Sequence, residues 1–345
     1  MWQRTPLHRS LHRSTSTGSR RVKQSTLHPQ RRHTPPPAMR PLIVRLRNYV
    51  GDVVLSLPAL ELLQLHGYTL HLVGKPWVGD LLAAYGWSVH PRAGPLPHRV
   101  RQLRALRRDL SLLDPGFSAR ENMLVFPNAF SGALESRLAG LRAVGHATEG
   151  RSWLLARAEP PLWGHALQHF WALSCRFLRL ELPVPAQIGL RVSLANQQLA
   201  DEFLRRHGVR EGFVVVCPFA GGVFENQSKV WPHFASLVQQ LTATDRDVVC
   251  CPGPADVGAE SLIGARLIRD VDLGVYGGIL RRASIVVAND TGPGHLAAAV
   301  GVPTVSVLGP TVPEQWAPWG PTVKIARSWP RWPTVDEVMC AAGLG

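Results

Sequence analysis

Acidic, hydroxyl, histidine and glycine residues cluster in the segment NDTGPGHLAAAVG, between a predicted strand, SIVVA, and a small apolar helix. Asp290 or Thr291 can cap this helix, whose free N–H groups and positive dipole end attract phosphate. Gly292 and Gly294 leave room for a ligand to approach, and His295 adds a ring nitrogen. The segment predicts an anion-binding loop. A helix that is merely well capped is the alternative interpretation.

A carboxylate occupies a similar position much earlier in the chain. Gly51 and Asp52 follow the predicted strand LIVRL (42–46) and open a helix, VVLSLPALELLQLHG, whose apolar residues recur at helical spacing. Ligands of open α/β sheets bind beyond the carboxyl ends of the strands, where Asp52 would lie. Its carboxylate can accept a proton from a bound hydroxyl, or it can simply complement the helix dipole. The spacing alone leaves both hypotheses open.

A third loop, CPFAGGVFENQSKVWP, also runs from a strand end to a helix start. It carries Gly221 and Gly222, and it places Ser228 beside Lys229. A lysine in such a loop can neutralise a diphosphate, whereas a solvated surface lysine is the plain alternative. Because all three loops follow predicted strands, they are expected at the same kind of edge. Together they favour a nucleotide-diphosphate ligand.

Strand and helix patterns alternate from residue 39 onward, which is typical of parallel sheets with helices on both faces. A first series is followed by a helix-rich middle at about 150–208 and by a second series. The prediction is an α/β fold with two Rossmann-like, doubly wound domains that face each other across a cleft. The predicted divisions are a basic tail at 1–38, a first domain at 39–200, a second domain at 201–330 and a C-terminal helix at 331–345.

Several helix patterns make predictions that a structure can check. HALQHFWALSCRFLRL places Leu167 and Phe170 along one side of a helix. Near the end of the chain, Thr334 and Glu337 have the spacing of a capping box. The other predicted helices lie at 76–85, 232–243, about 256–268 and 275–283.

Composition limits the class of protein. The 345 residues carry a net charge of +14, and residues 1–38 supply +8 of it through seven Arg and one Lys without an acid. That segment has no apolar period, which predicts disorder. Its composition resembles a transit peptide. The favoured alternative is a mis-called start codon, with Met39 as the true start. The apolar fraction of 45% is typical of a globular protein, and no apolar run is long enough to span a bilayer. The five cysteines lack metal-ligand spacing, which favours buried free thiols in a reducing compartment.

Three segments together resemble one known family. IVRLRNYVGDVVLSLPAL, PFAGGVFENQSKVWP and ANDTGPGHLAAAVGVPTVSVLGPTVPEQWAPWG are similar to the ADP-heptose:lipopolysaccharide heptosyltransferases of glycosyltransferase family 9. FPNAFSGALESRLAGLRAVGH resembles the heptosyltransferase II branch, and the similarity covers about residues 39–325. It implies a GT-B fold with the acceptor on the first domain and the sugar nucleotide on the second. It also implies inverting, metal-independent transfer of heptose from ADP-heptose to the lipopolysaccharide inner core.

The resemblance assigns roles to individual residues. Asp52 matches the family's general base, and Lys229 matches the lysine that contacts the donor phosphates. An acidic donor-contacting residue corresponds to Asp256 or Glu260; Glu260 is carried forward as the prediction, and the choice between the two stays open. The other donor-side residues are Gly221, Gly222, Ser228, Asp290, Thr291, Gly292, Gly294 and His295, and the acceptor-side residues are Gly51, Asn128 and Ser131.

The resemblance also implies partners and a location. A nucleotide-sugar donor and a lipid-linked core oligosaccharide are the expected partners, with no cofactor beyond the substrate. The expected place is the cytoplasm, with a peripheral position on the inner face of the cytoplasmic membrane as an option. The helix pattern HRVRQLRALRRDL (98–110) has leucines on one side and arginines opposite, so an anionic membrane surface is a candidate partner. A solvated basic helix fits the same pattern equally well.

Competing functions explain fewer features. Transfer of another sugar onto another glycan fits the same residues. A dinucleotide-dependent oxidoreductase fits the doubled α/β pattern, but no G-x-G-x-x-G follows a strand. Polynucleotide binding depends on the basic tail alone, so we expect no nucleic-acid partner. The tripeptides DRD (245–247) and DVD (270–272) are short enough to arise by chance, and we expect no metal.

Overall fold

The computed structural model describes residues 39–345 apart from residues 222 and 255. The predicted tail at 1–38 and the predicted site residue Gly222 therefore lie outside the described residues. Two six-stranded sheets, each parallel throughout, organise the described part of the chain. The predicted α/β fold with two doubly wound sheets is confirmed.

The first sheet and its helices come from the earlier half of the chain. Its strands are β1 (Arg40–Arg45), β2 (Tyr68–Gly74), β3 (Ser88–Pro91), β4 (Met123–Val125), β5 (Ala143–His146) and β6 (Arg157–Glu159). Its helices are α1 (Val50–Leu65), α2 (Val78–Leu81), α3 (Leu96–Leu113), α4 (Phe130–Leu138) and α5 (Ala166–Leu178). The strand order is β3-β2-β1-β4-β5-β6. The order reverses between β1 and β4, which is where open α/β sheets bind ligands.

The second sheet repeats this topology. Its strands are β7 (Val214–Cys217), β10 (Val248–Cys250), β11 (Arg266–Leu267), β12 (Ile285–Asn289), β13 (Thr304–Val307) and β14 (Val323–Ala326), and a separate hairpin pairs β8 (Val223–Phe224) with β9 (Gln227–Ser228). The helices are α6 (Leu194–Arg206), α7 (Phe234–Ala243), α8 (Leu273–Arg282), α9 (Gly292–Val300), α10 (Pro313–Trp316) and α11 (Val335–Ala342). The order is β11-β10-β7-β12-β13-β14, so the reversal lies between β7 and β12.

One apolar core continues from the first sheet into the second. Leu46 and Leu57 from the first half and Val215 and Leu296 from the second belong to the same buried cluster. α1 packs on α9, and α2 packs on α8, so the halves share an apolar interface. The helix α6 packs on α8 and spans residue 200, where the sequence divides the two domains. The position of that division stays a prediction.

The sequence patterns are confirmed where a helix has a buried side or a capped end. Leu167 and Phe170 are both buried on α5. The capping box at α11 is present, since Glu337 N donates to Thr334 Oγ1 over 3.2 Å and Thr334 N donates to the Glu337 carboxylate over 2.6 Å. Short elements were harder to predict: β3, β5, β6 and β14 have only three or four residues each.

The helix predicted at about 256–268 is wrong. A single 3₁₀ turn at Ala259–Ser261 and the short strand β11 occupy this stretch. Gly258 and Gly264 have left-handed φ values of 83° and 96°, which an α-helix does not accommodate. The helix predicted at 76–85 is also interrupted, because α2 ends at Leu81 and a 3₁₀ turn follows at Ala83–Tyr85.

The basic helix predicted at 98–110 is part of α3, and several of its arginines have structural partners. Leu103 and Leu110 are buried against the first sheet. Arg104 Nη2 donates to Leu138 O over 3.0 Å, and Arg107 Nε donates to Ser118 Oγ over 3.3 Å. These arginines therefore fix α3 to its neighbours, which leaves fewer of them for a membrane surface.

A buried carboxylate joins four elements at the carboxyl edge of the first sheet. Glu135 on α4 is almost fully buried and pairs with three arginines: with Arg45 from β1 at 3.3 Å, with Arg92 after β3 at 3.0 Å and with Arg99 on α3 at 3.0 Å. Burial raises the pKa of Glu135, and the guanidinium groups of Arg45 and Arg99 oppose that rise. Arg45 also donates to Asn48 Oδ1 over 3.3 Å, so the cluster supports the loop that leads to α1.

Replacing Glu135 by glutamine is expected to lower the free energy of unfolding by about 3 kcal/mol, because it leaves the buried Arg45 charge without its partner. Urea unfolding followed by circular dichroism measures the change. Asp109→Asn is the matched control, since the Asp109–Arg108 pair is exposed and exposed pairs contribute about 0–1 kcal/mol. Equal losses in the two variants would contradict a special role for the buried cluster.

Candidate active site between the two sheets

A cavity of about 620 Å³ lies between the two halves of the described chain. Loops that follow β1, β7, β12 and β13 form its wall together with the first turns of α1 and α9. Both points of reversed strand order therefore face the same space. The lining residues are Tyr49, Val50, Gly51, Asp52, Leu55, Gly221, Phe224, Lys229, Asp290, Thr291, Gly292, Pro293, His295, Thr311 and Trp316.

Asp52 lies in the first turn of α1 and lines the cavity. Arg47 donates from Nη1 to Asp52 Oδ1 over 3.1 Å, and both side chains are largely buried. Burial raises the pKa of Asp52 above its ordinary value, while the Arg47 guanidinium opposes that rise. Arg47 is held in turn over the Phe170 ring, with its Cζ 5.0 Å from the ring centroid. The carboxylate is therefore desolvated and oriented, which suits a group that accepts a proton.

Lys229 reaches the same cavity from the second half. Its Nζ lies 3.0 Å from Asp290 Oδ2, and both side chains are mostly buried. Asp290 Oδ2 also accepts a hydrogen bond from Thr311 Oγ1 over 2.7 Å. An ammonium group has three N–H donors, so the bond to Asp290 leaves others for a ligand in the cavity. A fixed cation of this kind can stabilise a diphosphate.

The start of α9 borders the cavity without a side-chain cap. Thr291 occupies the N-cap position with extended backbone but makes no capping hydrogen bond. Asp290 does not cap the helix through its Oδ2, which accepts from Lys229 and Thr311. Pro293 has no N–H, and Gly294 N donates to Thr291 O over 3.1 Å. Gly292 N is therefore the donor that the first turn offers to an anion, together with the positive end of the helix dipole. Burial lowers the pKa of His295 to about 4, so its ring is neutral at neutral pH.

The structure gives the glycines at this site a role in close packing, whereas the sequence suggests that they leave room for a ligand. A Cβ on Gly292 would lie 2.7 Å from Val50 Cβ, and a Cβ on Gly51 would lie 2.7 Å from His295 Cδ2. Gly294 is buried, and its Cβ would lie 3.2 Å from Ala288 Cβ. Gly51 and Gly292 thus allow α1 and α9 to approach each other closely, which brings Asp52 into the cavity shared with the second half.

A second cavity, of about 510 Å³, lies on the other side of the loop 218–231. Phe219, Trp231 and Asp256 are among its lining residues, so its wall is aromatic with one carboxylate. Asp256 Oδ2 accepts a hydrogen bond from Gly253 N over 2.8 Å. Glu260 points elsewhere: its side chain is 72% exposed and pairs with Arg269. The geometry therefore favours Asp256 of the two acids as a neighbour of a bound donor.

The remaining predicted residues occupy varied positions. Gly221 lines the first cavity. Ser228 is exposed in the hairpin β8–β9, and its Oγ accepts from Val230 N over 3.1 Å. Asn128 and Ser131 follow β4; Asn128 Oδ1 is buried without a hydrogen-bond partner among the described residues, and Ser131 is exposed on α4.

Sequence reasoning missed several side chains at the site. Arg47 lies in the loop after β1, five residues before Asp52, and an arginine so close to a candidate base is a signal that could have identified it. Thr311 follows β13, and its place after a strand end was the signal there. Phe224 and Trp316 also line the cavity, but nothing in their spacing distinguishes them from core aromatics.

The two Asp-x-Asp tripeptides have structural roles. Asp245 and Asp247 both pair with Arg210 near the start of β10, at 3.0 and 3.3 Å. Asp272 caps α8 by accepting from Val275 N over 2.8 Å. Within residues 39–345, apart from positions 222 and 255, no group of three His, Cys, Asp or Glu side chains is placed to hold a metal ion.

A family model described as glycosyltransferase family 9 (heptosyltransferase) matches residues 118–342, which is more than half of the chain. The chain belongs to glycosyltransferase family 9. Membership makes it a glycosyltransferase and decides against the oxidoreductase hypothesis. The match includes Lys229 and the segment from Asp290 to His295.

Two curated relatives are similar to part of the chain. Lipopolysaccharide heptosyltransferase 3 of Escherichia coli (strain K12) is 29% identical over 134 residues, which cover 35% of this chain and 37% of the relative. Lipopolysaccharide heptosyltransferase 1 of Pseudomonas aeruginosa is 31% identical over 166 residues, which cover 46% of this chain and 43% of the relative. The family 9 chain thus matches less than half the length of these relatives.

Solved structures support the fold over most of the chain. The E. coli ADP-heptose lps heptosyltransferase II aligns with a TM-score of 0.70 at 20% identity, covering 88% of this chain and 98% of that one. A glycosyltransferase family 9 structure from Veillonella parvula aligns with a TM-score of 0.68 at 17% identity, covering 84% and 86%. These similarities confirm the predicted GT-B arrangement.

Replacing Gly51 by alanine is expected to lower the free energy of unfolding by about 1–3 kcal/mol, because the added methyl group overlaps the His295 ring. Gly79→Ala on α2 is the control, since nothing lies within 4 Å of a Cβ added there. Urea unfolding of both variants measures the difference. A Gly51→Ala protein as stable as the Gly79→Ala protein would show that α1 and α9 do not need this close approach.

Proposed function

We propose that this family 9 glycosyltransferase transfers a heptose, with inversion, from ADP-heptose to the lipopolysaccharide inner core. The observation that carries the proposal is that Asp52 from the first half and Lys229 from the second line one cavity. A proton acceptor and a fixed cation on opposite walls are what glycosyl transfer from a sugar diphosphate requires. Family membership and the relatives named as lipopolysaccharide heptosyltransferases also support it.

Asp52 is the general base in this mechanism. The acceptor hydroxyl attacks the anomeric carbon from the face opposite the diphosphate, and its proton passes to the Asp52 carboxylate. Because the nucleophile enters on one side and the diphosphate leaves on the other, the anomeric configuration inverts. Arg47 holds the Asp52 carboxylate through the 3.1 Å contact and keeps it pointing at the acceptor side of the cavity.

The second half binds the donor and stabilises its leaving group. Negative charge grows on the diphosphate as the glycosidic bond breaks, and Lys229 together with Gly292 N and the dipole of α9 compensates it. Asp290 and Thr311 position Lys229. The adenosine of the donor occupies the neighbouring aromatic cavity, beside Asp256, because both cavities share the loop 218–231. These groups compensate the negative charge that a divalent metal would otherwise neutralise, so the proposed transfer is metal-independent.

The acceptor and the location follow from the same proposal. A lipid-linked core oligosaccharide enters from the first half, where Gly51, Asn128 and Ser131 lie. The enzyme works in the cytoplasm at the inner face of the cytoplasmic membrane. No helix of the described residues is long and apolar enough to cross a bilayer. Transfer of a different sugar, or to a different glycan, by the same catalytic groups is the second candidate, since the cavity residues fit any sugar diphosphate.

The test is ADP release from ADP-heptose with a heptose-deficient lipopolysaccharide acceptor, in the presence and absence of EDTA. Asp52→Asn is expected to lower kcat by about 10²–10⁴, the usual contribution of a general base. Glu61→Gln on the same helix is the matched control, because Glu61 pairs with Arg191 outside the cavity lining, and it should retain activity. If the unaltered protein releases no ADP with any acceptor, heptosyl transfer is the wrong function; if other sugar nucleotides are consumed, the second candidate is correct.

The pH dependence of kcat/KM gives an independent check on Asp52. The base must be ionised, so activity falls as the pH drops through its pKa, which burial holds above the ordinary 3.8. The Arg47 charge lowers that pKa, and Arg47→Gln should therefore move the acid limb of the profile to higher pH. An unchanged acid limb in Arg47→Gln would mean that another group titrates.

A further inference from the structure

A cavity of about 900 Å³ lies outside the proposed active site, between α5 and the segment 180–184. Its floor is apolar: Trp171 and Ala172 come from α5, and Leu182 comes from the segment that follows. Trp163 stands at one end with 93% of its surface exposed, and Leu182 is 44% exposed. We name this cavity, with Trp163, the α5 groove. Trp163 and Leu182 therefore present apolar surface to water at this cavity.

The α5 groove begins at the same edge of the first sheet as the active site. Trp163 follows β6 and precedes α5, so it belongs to the carboxyl edge from which Asp52 also projects. The N-terminus of α5 contacts the second half directly, because His165 Nε2 lies 2.8 Å from Ala317 O. A surface bound at Trp163 therefore lies at the edge of the first sheet that also carries Asp52.

Three arginines and two acids line the groove, and Arg157 pairs with Glu159, which leaves Arg176, Arg179 and Glu181. Arg176 donates to Pro160 O over 2.8 Å, and Arg179 is exposed at the end of α5. Across residues 39–221, 223–254 and 256–345, neither arginine forms an ion pair with a carboxylate, and Glu181 is the acid left beside them. An exposed tryptophan, an apolar floor and arginines without acidic partners match the polar, anionic interface of a phospholipid bilayer.

Other occupants fit less well. A peptide strand would have to pair with β6, but this edge strand carries Arg157, which pairs with Glu121 at 2.8 Å and with Glu159 of the same strand at 2.7 Å, and charged side chains on an edge strand disfavour strand addition. The basic helix α3 is the rival membrane contact; Arg104 and Arg107 bond their neighbours, and the exposed Arg108 is tested as a control.

We propose that the α5 groove is a docking surface for an anionic phospholipid bilayer, with Trp163 in the headgroup region and Arg176 and Arg179 at lipid phosphates. The proposal rests on the proposed function only for the reason to be at a membrane, a lipid-linked acceptor. Binding to lipid is measurable without donor or acceptor, so the two proposals fail separately.

The experiment is co-sedimentation of the full chain with vesicles of phosphatidylglycerol and phosphatidylcholine in equal parts, against phosphatidylcholine alone. Arg179→Gln is expected to weaken binding to the anionic vesicles about fivefold, the effect of one basic residue near such a surface. Trp163→Ala should weaken binding to the anionic vesicles as well. Every variant keeps the basic segment 1–38, so differences between variants report on the groove. Thermal unfolding midpoints equal to that of the unaltered protein show that the fold is intact.

Arg108→Gln and Leu113→Ala on α3 are the matched controls, because they remove one exposed arginine and one exposed leucine. Both should bind vesicles like the unaltered protein. Unaltered binding by Trp163→Ala and Arg179→Gln, or equal losses in the α3 controls, would overturn the proposal. So would a raised KM of Trp163→Ala for a delipidated acceptor with vesicle binding unchanged, which would assign the groove to the sugar chain.

Discussion

The close contact between α1 and α9 is the constraint on which the site depends. These helices belong to different sheets, and their N-termini meet only because Gly51 and Gly292 carry no side chains at the crossing. Each helix contributes a positive dipole end to the same space. The contact therefore sets the separation between Asp52 on α1 and the first turn of α9.

The ion pairs at the site stay within their own halves. Arg47 orients Asp52, and Asp290 with Thr311 orients Lys229. The Asp52 carboxylate and the Lys229 ammonium group are each held by residues of their own half, so both are oriented before a substrate binds. Such preorganisation matters because reorienting dipoles during the reaction would cost part of the electrostatic stabilisation. The buried cluster around Glu135 extends the same support to the loop before α1.

The sequence predicts the repeated α/β topology and the three loops because buried apolar strands and helices with apolar residues at helical spacing leave clear local patterns. It fails at 256–268, where Gly258 and Gly264 adopt left-handed conformations that apolar spacing does not reveal. It identifies Gly51 and Gly292 as important but not the reason, because contacts between distant helices have no local signature. Arg47 and Thr311 were missed for a related reason: their value comes from the partners that the fold gives them, Asp52 and Asp290.

The apolar cluster that runs through both halves limits how this protein can be recombined. Leu57 and Leu296 belong to that one cluster, so the halves are not interchangeable modules. A hybrid that joins the first half of one family member to the second half of another must also inherit matching surfaces on α1 and α9 and on α2 and α8. Exchange of one half therefore requires compensating changes on the helices of the other.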